Sequence, residues 1–320
     1  MDGFVRLPLA QTGANVDGSF GWRQRTLKAA IDCVGVGLHS GRRVTLTIRP
    51  AGVDHGIVLR RVDLGRTIAC RFDNVIDTRF CTVLADPGMQ SARVGTVEHV
   101  MAALSGLSID NALIELDGPE IPILDGSAGP FVFLLDCAGS VEQDAPRRVI
   151  EVLRTVRVES GEAWAELRPF GPVSRTVPPV LELDVSIDFA ASAIGRQTAA
   201  LQLSPASFRR EIAAARTFAQ MAEVDQLQAE GMARGGGLDN AIVVDGSRIL
   251  NPGGLRMANE FASHKLLDVV GDLALAGGRL HGRFVAHRPG HELNNRLLRA
   301  LFADTAAWRV AATEPLTVAA

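Results

Sequence analysis

Cysteine is scarce and scattered in this 320-residue chain: Cys33, Cys70, Cys81 and Cys137 form no C-x-x-C pair and no dense framework. Disulfides are therefore not expected, and the thiols should be reduced and mostly buried. No run approaches the ~18 apolar residues of a membrane-spanning helix. A basic stretch leading into an apolar core, the mark of an export signal, is also missing at the N-terminus. A cytoplasmic protein without an integral membrane segment is the expectation. Neither charge dominates; the net charge of −3 argues against a nucleic-acid binder held by general positive charge, while leaving room for a local basic pocket. Walker loops and G-x-S-x-G elbows are absent, and Gly235-Gly236-Gly237 lacks the G-x-G-x-x-G spacing of a dinucleotide site.

What the chain does have is an ordinary globular balance, 47% apolar and 22% charged residues. At about 100–200 residues per domain, two domains fit its length. Residues 1–22, rich in Gly, Gln, Asn and Asp, read as a flexible extension. Val44 to Ile48 alternate as a half-buried strand does, and Ile109 to Leu116 resume that pattern. Between them Thr96 is placed as the N-cap of a helix from Val97 to Leu104 that ends near Gly106. The polar segment Gln143 to Arg148 is the expected linker.

Beyond it the same grammar restarts. Strands are expected at Ile150 to Val158, Trp164 to Leu167, Leu181 to Phe189 and Ala241 to Val244. Ser204 should open a helix through Ile212, a long helix should run from Asn259 to Ala276, and another from Leu293 to Phe302. Strands and helices mix in both halves, so the class is α+β. With no exposed heptad or long apolar stripe, a monomer is expected.

Two distant segments carry the chemistry. On the long helix His264, Asp268 and Asp272 stand at i, i+4 and i+8, so His264 and Asp268 can grip one ion from adjacent turns. His99 is the candidate third ligand and Glu98, beside it, the candidate base. Two imidazoles and a carboxylate leave a position for water, as in catalytic zinc sites. The same set also makes the facial triad of non-haem Fe(II) oxygenases, and a metal-stabilised glycan binder is a third reading. Each segment alone also fits a plainer role: a helical hydrogen bond for His264 and Asp268, a capping arrangement for Glu98. His291, in Pro289-Gly290-His291, is expected on a turn with its ring exposed.

Read in order, Gly35 to Gly41, Thr96 to Leu104, Pro119 to Ser127, Ala215 to Phe218, Leu238 to Ala241, His264 to Asp272 and Gly290 to Asn295 resemble the UDP-3-O-acyl-N-acetylglucosamine deacetylase family. These are zinc amidases of lipid A biosynthesis in Gram-negative bacteria, and the resemblance covers about residues 24–303. It implies two similar domains, 23–145 and 146–308, each a sheet packed on helices, with the active site in the cleft between them and a tail at 309–320. It implies His99, His264 and Asp268 as Zn2+ ligands, Fe2+ being the other ion this set accepts, and Glu98 as the base acting on water. Thr217 and His291 would stabilise the oxyanion, His291 would protonate the departing amine, and Asp272 would orient His291. Lys265 and Arg288 would meet the sugar and diphosphate of an acylated UDP-sugar. Arg288 stands where some relatives have lysine, and Ser263 where many have arginine. An insert at about 218–249, with Phe218, Gly235 and Gly236, would receive the acyl chain, with Phe80 and Cys81 nearby.

Overall fold

The computed structural model describes residues 22–173 and 178–311. The expected extension 1–22 lies outside them except for Trp22, which is buried, as does the tail beyond Ala311. Six helices are used below: α1 (Glu98–Gly106), α2 (Gly129–Ala138), α3 (Pro205–Ser207), α4 (Met221–Ala229), α5 (Glu260–Ala274) and α6 (His291–Ala303).

Two sheets organise the molecule, each drawn from one half of the chain. In the first, the strands run in the order Ile31–Val36, Arg43–Pro50, Ala112–Leu116, Ile57–Arg61 and Arg66–Ala69. Val44, Leu46 and Ile48 turn inward on alternate residues, as the sequence pattern predicts. The second sheet is centred on Arg279–His287, which pairs in parallel with Val149–Val152 and Leu181–Asp188 and antiparallel with Ala163–Arg168. Helices α1 and α5 pack against each other, and one continuous apolar cluster joins residues of both sheets, including Leu46, Ile114, Val100, Leu266, Val270 and Phe284. A smaller unit, Phe218–Gln220, α4 and Ile242–Asp245, forms a parallel crossover completed by Arg248–Ile249.

Several expectations are corrected. Thr96 is not the helix cap: its φ of 56° is left-handed and its hydroxyl donates to Glu120, so Val97 takes the cap position without a side-chain capping bond. Ile150 to Val158 is two strands, Val149–Val152 and Val156–Ser160, because the intervening residues turn the chain into a hairpin with Ala163–Arg168. The linker segment is largely strand, since Ser140–Pro146 pairs with Arg23–Leu27. Trp308–Ala311 pairs with Val149–Val152, so the second sheet runs on past residue 308. Ser204 does cap its helix, with a reciprocal bond to Ser207, but that helix is short and passes into a π-turn at Phe208–Ile212.

Candidate metal centre

α1 is buried on almost every side, and its sequence EHVMAALSG places its only two ionisable residues, Glu98 and His99, in the first turn. α5 carries His264, Asp268 and Asp272 on one buried stripe rather than on a solvated face. The helices can touch because Gly271 has no side chain: a Cβ there would come within 2.8 Å of the Glu98 carbonyl carbon and nearer still to its oxygen. That approach brings His99 to the α5 pair.

His264 Nε2 lies 3.3 Å and His99 Nε2 3.8 Å from the same oxygen, Asp268 Oδ1. The ligand atoms of the three residues all fall within 4.8 Å of one another. A tetrahedral ion with bonds of ~2.1 Å separates its ligands by roughly 3.4 Å, close to these spacings. His264 Nδ1 donates to the Ala215 carbonyl at 3.0 Å, so its Nε2 carries a lone pair. Asp268 Oδ1 thus faces an acceptor and receives no hydrogen bond among the described residues, although it is fully buried. A cation resolves that conflict, and the residues fit one. Burial and His264 push the His99 pKa down to about 3; His264 is lowered too, again chiefly by burial, so both imidazoles are held in the neutral form that binds metal. Burial works to raise Asp268, but His264 and Lys265 outweigh it and hold it ionised.

A second cluster adjoins this one. Burial pushes the Glu98 pKa up to about 7; His291 opposes, and Asp268 and Asp272 add to the rise. Its Oε2 accepts from the Thr82 backbone N–H at 3.1 Å, and its Oε1 lies 3.7 Å from His291 Nε2. His291 donates from Nδ1 to Asp272 Oδ2 at 2.8 Å. It is not exposed on a turn: it is the first residue of α6, and its side chain is 10% exposed. Burial lowers its pKa, but Asp272 and Glu98 more than offset this and raise it to about 10. Asp272 is fixed in turn by Thr82 Oγ1 at 2.6 Å and Asn294 Nδ2 at 2.8 Å.

The remaining residues separate into those on a cavity and those behind it. A cavity of about 680 Å³ is lined by Thr217, Phe218, Phe80 and Gly236 together with Val224 and Leu227 of α4. Gly235 is not among the residues lining this cavity: its N–H bonds the Leu38 carbonyl, and a Cβ would strike Val36 and the Gly37 carbonyl. Cys81 is buried against Gly95 and is not part of the cavity wall. Lys265 Nζ bonds Asp268 Oδ2 at 3.0 Å and lies 5.6 Å over the Phe218 ring. Arg288, at φ 51°, pairs with Glu162 at 2.6 Å and lies 3.6 Å from Asp188 at the surface.

Sequence reasoning missed Thr82, Asn294, Glu120 and His39. Glu120 accepts from the backbone N–H of His39 and Ser40 and from Thr96 Oγ1, tying the turn at 37–41 to the start of α1. That leaves His39 on the cavity wall with both ring nitrogens unpaired among the described residues. Asn294, three residues after His291, was findable by helical spacing. Thr82 had no local signal.

The model of the UDP-3-O-acyl N-acetylglycosamine deacetylase family matches residues 24–303. The chain belongs to this family. It is similar to the UDP-3-O-acyl-N-acetylglucosamine deacetylase of Shewanella sp. (strain W3-18-1), 47% identical over 295 residues, which are 91% of this chain and 93% of the relative. The deacetylases of Shewanella loihica and Shewanella baltica (strain OS155) are 48% and 46% identical over the same shares. Membership in a deacetylase family gives the oxygenase alternative no support.

Proposed function

We propose that this protein is a metal-dependent deacetylase that removes the N-acetyl group of a UDP-3-O-acyl-N-acetylglucosamine, releasing acetate in the cytoplasmic steps of lipid A biosynthesis. Family membership supports the reaction, and the donor-less Asp268 Oδ1 between two neutral imidazoles is the observation that carries the metal. His99, His264 and Asp268 are the proposed ligands, of Zn2+ or Fe2+. When bound, such an ion polarises the amide carbonyl and lowers the pKa of a water from about 15.7 toward neutrality.

The chain's own groups do the rest. Glu98, whose pKa of about 7 suits a base at neutral pH, takes the proton from the attacking water. Protonated His291 supplies a proton to the departing amine, because an amide anion leaves poorly, while Asp272 holds its Nδ1 so that Nε2 points to the Glu98 side. Environments that push two neighbouring groups to about 7 and about 10 divide the roles of base and acid. Thr217, with His291, is assigned to the oxyanion.

The 680 Å³ cavity, within the usual range for a ligand site, is assigned to the acyl chain, with Phe218, Phe80 and Gly236 on its wall. Lys265 and Arg288 are assigned to the sugar and diphosphate, for which Arg288 must exchange its surface partners. We also assign two domains that divide after Pro146, the second reaching Ala311, with an insert at 218–249. Strand pairing confined to each half and the separate crossover around α4 support that division. Acetate release from the UDP-acylglucosamine, with a chelator and with metal restored, tests the whole reading. Activity should vanish on chelation and return with Zn2+ or, anaerobically, Fe2+. Metal-loaded protein that releases no acetate overturns it.

A further inference from the structure

The peptide bond between Ala215 and Arg216 is gripped at both ends by α5. Its carbonyl accepts from His264 Nδ1 at 3.0 Å, and its N–H donates to Glu260 Oε1 at 3.1 Å. Glu260 and His264 are four residues apart, so the two side chains rise from one helix face and span a single amide plane.

Glu260 is 0% exposed, and a buried carboxylate is costly unless it is fully met by donors. It is met here by Arg216 Nε at 2.8 Å, Arg216 Nη2 at 3.1 Å and the Arg256 backbone N–H at 2.6 Å. Burial raises its pKa, and these donors more than offset the rise, keeping it ionised. An anion on the N–H side of an amide draws the peptide dipole toward itself and leaves more electron density on the carbonyl oxygen. That oxygen then accepts more strongly from the imidazole, and an imidazole whose Nδ1–H is held by a stronger acceptor is more basic at Nε2. Nε2 is the atom aimed at Asp268 Oδ1, 3.3 Å away.

We infer that Glu260 is a positioning residue for His264, acting through the Ala215–Arg216 peptide to fix the imidazole's tautomer and orientation and to strengthen Nε2 as a metal donor. This rests on the metal site proposed above. Arg216 neutralises the carboxylate and, directly preceding Thr217, lets the same grip set the backbone of the cavity wall, where the Thr217 N–H bonds the Gly126 carbonyl at 2.8 Å.

Zn2+ affinity of the metal-stripped protein, measured by competition with a chromogenic chelator, tests the inference alongside melting temperature and the nitrogen-15 shifts of His264. Glu260→Gln keeps an acceptor for the Arg216 N–H but removes the charge. It should lose roughly 10–100-fold in Zn2+ affinity, the usual effect of losing a group that orients a metal ligand. The Nδ1 resonance of the apo protein should move toward that of a weaker hydrogen bond. A double variant, Glu260→Gln with Arg216→Met, leaves no unpaired buried guanidinium, so it should melt near the wild type yet show the same loss of affinity. If the wild type binds Zn2+ and either folded variant binds it within twofold as tightly, the relay is overturned while the metal site stands. A wild type that binds no Zn2+ overturns both.

Discussion

Gly271→Ala puts the proposed metal site under a sharp test, because it touches no ligand. The added Cβ would lie 2.8 Å from the Glu98 carbonyl carbon, 3.0 Å from its Cα and closer still to the carbonyl oxygen, where ordinary contact begins near 3.4 Å. These are backbone atoms and cannot swing aside. The carbon alone demands 3.4 − 2.8, about 0.6 Å, and the oxygen about 1.4 Å, of separation between the start of α1 and the middle of α5. His99 travels with α1, while His264 and Asp268 stay with α5. The 3.8 Å spacing from His99 Nε2 to Asp268 Oδ1 would open well beyond the ~3.4 Å edge of a tetrahedral site. Overpacking costs about 1–3 kcal/mol, and replacing a helical glycine by alanine returns about 1 kcal/mol. The net loss, ~0–2 kcal/mol, leaves a folded protein. The expected result is therefore a modest fall in the melting temperature of the apo protein with a loss of at least ~100-fold in Zn2+ affinity, since a displaced ligand costs more than the 10–100-fold of a displaced supporting group. Chelator competition and calorimetric melting on the same preparation measure both. Wild-type Zn2+ affinity in folded Gly271→Ala would refute the claim that this helix contact sets the ligand geometry.

Glu98→Gln should retain metal but lose roughly 10²–10⁴ in turnover; near-wild-type acetate release by that variant would show that another group is the base. His291 in the apo protein should stay protonated as pH rises until about 10, because its raised pKa stabilises the protonated form. In Asp272→Asn that titration should fall by about 2–3 units, from ~4 kcal/mol of attraction between charges ~4 Å apart at an effective dielectric of 20, as followed by imidazole NMR. In the loaded enzyme the alkaline limb of kcat/KM should move down with the same substitution, and the acid limb, assigned to Glu98, should move down by less, because burial rather than Asp272 is the main cause of the raised Glu98 pKa. Val224→Trp, on the cavity wall, should raise KM for long acyl chains by roughly fourfold for each methylene excluded, at ~0.8 kcal/mol apiece, and spare short-chain substrates. An equal effect on both chain lengths would remove the cavity from acyl recognition.

Much of the site was written in local patterns. The four-residue spacing of His264, Asp268 and Asp272 is a property of the helical repeat, and a helix that is apolar elsewhere on its wheel must turn that stripe somewhere definite. The alternation in Val44 to Ile48 likewise assigns an inward face before any partner strand is known. Errors arose where a local pattern had two solutions. Thr96 looks like a cap by residue type, but its hydroxyl was taken by Glu120, far along the chain, and its backbone is left-handed. His291 sits in Pro-Gly-His, which reads as an exposed turn, yet Asp272 draws it into the first turn of α6 and buries it.

The sequence by itself determined the fold class, the helix faces, the family and the candidate residues of the site, because these follow from periodicity and residue type along short stretches. Tertiary structure alone decided that Gly271 lets α1 meet α5, that Asp268 Oδ1 is left facing imidazole nitrogen without a donor, and that Glu98 and His291 are driven to about 7 and about 10. The physical reason is that desolvation and Coulombic attraction depend on distances between atoms and on exclusion of water. No spacing along the chain encodes either.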